Sequence, residues 1–79
     1  MNTVSTSETR HKNALQEILA KHADDNHRPK AFYIASKALN HPEPTDRIYV
    51  EALQEVLRTH ANDDIRPKAF YIADHALPE

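Results

Sequence analysis

The sequence predicts an all-α protein, four helices forming two tandemly duplicated hairpins packed into one small bundle, and three observations carry that expectation. The stretch from Arg28 to Ala35 recurs letter for letter from Arg66 to Ala73, 38 residues further on. Around it, Ala14 to Leu39 and Ala52 to Leu77 share 18 identities in 26 positions, which reads as a tandem duplication. Apolar residues within each copy recur at three- and four-residue intervals, the period of one buried helix face.

The first helix is expected at about 8 to 23, with Leu15, Ile18, Leu19 and Ala23 on its apolar side. Ser7 is the expected cap, because its hydroxyl can accept from the free amides of the first turn, and Glu8 suits the positive end of the helix dipole. Residues 1–6 are small and polar and read as a disordered tail before a single domain spanning 7–79. Asp24, Asp25, Asn26 and His27 then interrupt the pattern. Pro29 is tolerated only in a first helical turn, so a second helix starts here, capped by Asn26 or Arg28, and runs to about Leu39. Asn40 is the expected left-handed stop, and Pro42 blocks continuation.

Residues 41–44, with Pro42 and Pro44, form a stiff linker between the repeats 7–40 and 45–78. Thr45 occupies the place of Ser7, so the helix cap is repeated as well. The third helix, about 46 to 61, carries Ile48, Tyr49, Ala52, Leu53, Val56 and Leu57 on one side. Its first turn is apolar where the first helix has Arg10, His11 and Lys12, which predicts that the first helix begins in water and the third begins against a neighbour. Asn62, Asp63 and Asp64 repeat the turn, and the fourth helix runs from about Pro67 to Leu77 before Pro78. With no glycine in the chain, any left-handed turn residue must be Asn or Asp. Such hairpins cannot bury an apolar face alone, and two repeats are fewer than a solenoid usually needs, so a compact bundle is expected.

Composition narrows the function. Twelve acidic and ten basic residues give a net charge of −2, which argues against gripping nucleic acid through bulk charge. There is no cysteine, no glycine loop and no nucleophile with a base beside it, so no enzyme, no metal site and no cofactor are expected. Without a signal peptide or long apolar run, the expected setting is the cytoplasm, away from membranes. The six histidines are candidate ligands, above all His22 with Asp25 and His27, and His60 with Asp63. However, the second copy replaces His27 by Ile65, and neither copy sets a Glu/His pair at i, i+3 or i, i+4 with these histidines to put ligands on one helix face. His22 and His60 fall instead in last helical turns, where an imidazole suits the negative end of the dipole.

On the second helix, Ala31, Phe32, Ile34, Ala35, Ala38 and Leu39 are assigned to the core. That leaves Lys30, Tyr33 and Lys37 outside, with Lys68, Tyr71 and His75 as their counterparts on the fourth helix. Arg28 and Arg66 stand at the helix starts, either in salt bridges with the neighbouring aspartates or free to meet an anion. These eight residues are the candidate binding surface, presented twice, since tyrosine flanked by cations is the composition that interfaces favour.

Arg28, Lys30, Phe32, Tyr33 and Ile34, and the matching residues of the second copy, resemble the opening of the second helix in some ribbon-helix-helix antitoxins. That resemblance, about seven residues per copy, implies DNA binding by a dimer whose amino-terminal strands pair and read bases. Neither Asn2 to Ser7 nor Pro44 to Tyr49 reads as such a strand. The leading expectation is therefore a non-catalytic interaction module that binds and modulates a protein partner. The alternative is a small DNA-binding regulator using Arg28, Lys30, Arg66 and Lys68 on phosphates.

Overall fold

The computed structural model describes residues 6–77; the amino-terminal tail expected at 1–6 lies, but for Thr6, outside the described residues, as does Pro78. Four helices follow in order: α1 Thr6–His22, α2 Lys30–Leu39, α3 Asp46–His60 and α4 Lys68–Ala76. They pack into a bundle, and no strand occurs among the described residues. Thr6 and Ser7 are already helical, so the cap expected at Ser7 falls inside α1. Thr45 does cap α3: its hydroxyl accepts from the Ile48 amide at 3.3 Å. The segment 46–49, where the antitoxin resemblance would need a strand, is the first turn of that helix.

Helices α2 and α4 begin differently from expectation. Neither Asn26 nor Arg28 caps α2; Pro29 does, with extended backbone angles, and Pro67 does the same for α4. Proline has no side-chain oxygen to offer, so the free amides of these first turns need acceptors from elsewhere. At the other end of α2, Asn40 has φ −98°, so it is not a left-handed stop, and no described residue has positive φ. Among the described residues this glycine-free chain therefore makes its turns without any left-handed residue.

The core is narrower than the sequence pattern suggests. Leu15, Ile18, Leu53 and Val56 from the two long helices are fully buried at its centre, with Tyr49 beside them. The short helices contribute mainly alanines: Ala31, Ala35 and Ala38 from α2, and Ala69, Ala73 and Ala76 from α4. Small side chains let those helices come close to α1 and α3, at the cost of little apolar area per residue. Phe32, assigned to the core from sequence, and its counterpart Phe70 are only half-buried and stand outside this cluster. Each lies under its own loop arginine instead, with Arg28 4.8 Å from the Phe32 centroid and Arg66 4.7 Å from that of Phe70.

The start of α1 also departs from expectation. His11 stands where the other half has Tyr49, and both are buried. His11 Nδ1 meets the Asp46 carboxylate at 2.6 Å, joining the beginnings of α1 and α3, while its Nε2 is buried with no partner. Next to it, Arg10 Nε donates to the Ala76 carbonyl at 3.0 Å, closing the carboxyl end of α4. So α1 does not simply begin in water; His11 and Arg10 tie its first turns to two other helices.

Candidate functional site: two grooves beside exposed tyrosines

What holds the two halves in register is a pair of histidines. Ala31 N, in the first turn of α2, donates to His60 Nε2 at 3.2 Å, and Ala69 N, in the first turn of α4, donates to His22 Nε2 at 3.3 Å. A backbone amide can only donate, so each Nε2 is the bare, accepting nitrogen and each Nδ1 carries the hydrogen. That hydrogen is directed to a carboxylate: His22 Nδ1 lies 2.7 Å from Asp25, and His60 Nδ1 lies 2.7 Å from Asp63. Each half therefore caps the other half's proline-started helix. Reciprocity of this kind, where position i meets j and j meets i, is the mark of a two-fold relation, whereas translational stacking would supply only one of the two bonds.

The same geometry decides the role of the aspartates and arginines in the turns. Asp25 and Asp63 serve the histidines rather than the arginines. Arg28 Nε and Nη2 both donate to the Ala23 carbonyl, at 3.2 and 2.6 Å, and Arg66 repeats this on Ala61 at 3.2 and 2.7 Å. These bonds satisfy orphan carbonyls at the ends of α1 and α3 while the guanidinium covers a phenyl ring. Both ring nitrogens of His22 and His60 are engaged and the imidazoles are buried, an arrangement that locks backbone and leaves no nitrogen for a ligand or a substrate proton.

Tyr33 and Tyr71 do stand outside, 56% and 49% exposed, each edge-on to its neighbouring phenylalanine at 5.3 and 5.4 Å. Each tyrosine borders a groove. One, of about 750 Å³, lies between α1 and α4 and is lined by Lys68, Tyr71 and His75 of the candidate surface together with Arg10, Ala14 and Ile72. The other, of about 350 Å³, lies between α2 and α3 and takes in Tyr33 and Lys37, with Ile34, Ile48, Glu51 and Glu55. Lys30 is exposed but lines neither groove, and Arg28 and Arg66 stand apart from both, occupied as described. The sequence pattern identified the tyrosine stripe but not the opposite walls, because those come from α1 and α3, and helical period says nothing about which helix lies alongside.

Sequence reasoning passed over the true role of His22 and His60. The signal was present: a histidine in the last helical turn with an aspartate three residues later, retained in both halves where neighbouring positions change. Compared with protein-family models, with curated proteins and with solved structures, the chain has no match. No helix among the described residues is long and apolar enough to cross a membrane.

Proposed function

We propose that this chain is a small non-catalytic interaction module that binds and modulates a protein partner through the outer faces of α2 and α4. The observation that carries the reading is the exposure of Tyr33 and Tyr71, large amphipathic rings left half in water at equivalent places, each at the edge of a groove with an alanine and isoleucine lining. Aromatic anchors of this kind dominate binding energy where a partner desolvates them. The alternative, a DNA-binding regulator, draws less support. Its leading phosphate donors, Arg28 and Arg66, are bonded within the chain and stacked on Phe32 and Phe70.

The test begins with purification of the partner from the native host by the tagged protein, followed by binding measurements on Tyr33→Ala, Tyr71→Ala and the double variant. Each single change is expected to leave folding stability within about 1 kcal/mol and to weaken binding by about 2 kcal/mol, roughly thirtyfold. Full binding by a folded double variant would overturn the reading. A steep fall of affinity with salt, together with nucleic acid as the captured partner, would move the assignment to the DNA-binding alternative.

A further inference from the structure

The two grooves share a framework but carry opposite charge, and this distinguishes what each accepts. The histidine bonds bring the end of α1 to the start of α4, and Arg10 binds the carbonyl of Ala76 near the end of α4, so α1 and α4 run antiparallel. Lys21 and Lys68 therefore stand at one end of their groove, and Arg10 at the other, beside His75. Between the two ends the lining is Asn13, Ala14, Ile72 and Tyr71, and Glu17 is the single carboxylate lining the groove among the described residues. In the α2/α3 groove Glu51 and Glu55 stand in the places of Asn13 and Glu17, and among the described residues Lys37 is the only permanent cation lining it. Positions 38 residues apart have thus exchanged Asn13 for Glu51 and Arg10 for Ile48 while keeping the alanine, isoleucine and tyrosine contacts.

We infer that the α1/α4 groove is the docking site for an acidic amphipathic helix of the protein partner, and that the α2/α3 groove rejects the same segment. The inference rests on the interaction-module reading and names the partner chemistry of one of its two surfaces. Arg10 and Lys21 are eleven residues apart, about 16 Å along α1 at 1.5 Å per residue. A docked helix meets both cationic ends if it carries carboxylates at positions i and i+11, which return to the same face after three turns. Apolar residues at i+4 and i+7 fall between them on that face and meet Ala14, Ile72 and Tyr71. In the other groove Ile48 takes the place of Arg10 and Glu51 that of Asn13, so the same segment would lose a cation at one end and meet a carboxylate beside it, a juxtaposition that disfavours it there.

The test uses two synthetic amphipathic peptides of identical apolar face, one with glutamates at i and i+11 and the other with lysines there, each titrated into the isotopically labelled full chain. Amide resonances of Asn13, Glu17, Tyr71 and Ile72 are expected to shift with the glutamate peptide, with at least tenfold weaker binding of the lysine peptide. Lys21→Glu combined with Lys68→Glu, both on exposed positions, is expected to reverse the preference while leaving the amide spectrum folded. Equal affinity for both peptides, shifts centred on Ile34 and Ile48 with the glutamate peptide, or no shift at all would overturn the inference. So would shifts of the same amides on concentrating the protein alone, which would make a second copy the occupant. None of these outcomes touches the tyrosine reading, which is decided separately by the natural partner and the tyrosine variants.

Discussion

From the last turn of its own helix, each of His22 and His60 holds two groups at once: an aspartate in the following turn and an amide of the opposite half. Removing one imidazole leaves a buried N–H without an acceptor, for which the desolvation cost is about 1 to 3 kcal/mol. His22→Leu and His60→Leu are accordingly expected to lower stability by about 2 to 3 kcal/mol each in chemical denaturation. His11→Leu is expected to behave differently. It loses the bond to Asp46, whose side chain is 39% exposed and can turn to water, but it also removes a buried nitrogen that has no partner. The balance should lie within about 1 kcal/mol of the parent; a loss as large as that of His22→Leu would show that the His11 to Asp46 bond is indispensable. For Phe32→Ala, half-burial and the overlying Arg28 point to a loss of about 1 to 2 kcal/mol, below the roughly 3 to 5 kcal/mol of a fully buried ring. Melting of the variant decides between the two ranges.

At the scale of helices, the alanines of α2 and α4 set how closely the short helices approach the long ones. Ala35 and Ala73 are fully buried. Enlarging either to leucine in a closed contact is expected to cost about 1 to 3 kcal/mol through displaced backbone, whereas Ala20→Leu on the exposed side of α1 should change melting little. Equal tolerance at all three sites would mean that the bundle has room where alanines now sit. The helices themselves were legible in the sequence: their order, approximate limits, the Thr45 cap and the breaks at the aspartate turns all follow from local chemistry. The faces of α2 and α4 were not. A periodicity count weights phenylalanine above alanine, but the contact made here selects for small size. Arg28 also supplies Phe32 with a cover from its own loop, so the ring need not enter the core.

For the molecule as a whole, the reciprocal caps make each half incomplete without the other. The short helices have 10 and 9 residues, below the length at which an isolated helix persists in water. A peptide covering residues 6–40 is therefore expected to show little helix by circular dichroism at low concentration, and equimolar addition of residues 45–77 to restore it. A monomeric, fully helical 6–40 peptide would show that the halves are independent. Compactness was readable from the repeat count, but the relation between the halves was not. It depends on which imidazole meets which amide across 47 and 29 residues of chain, and no local pattern specifies that pairing. The charge difference between the grooves could be read only once α1 was seen beside α4 and α3 beside α2.

First-turn amides are ordinarily among the quickest in a protein to trade their hydrogen for deuterium, because helix ends fray without disturbing anything else. The amides of Ala31 and Ala69 are in that position by sequence, yet each is released only when a histidine from the other half withdraws. Their exchange is therefore expected to report the opening of the whole molecule. Both should exchange slowly, at nearly matched rates that approach those of the Leu15 and Leu53 amides in the long helices. A fast Ala31 beside a slow Ala69 would show that one end of the bundle opens alone, and would locate the first step of unfolding in α2.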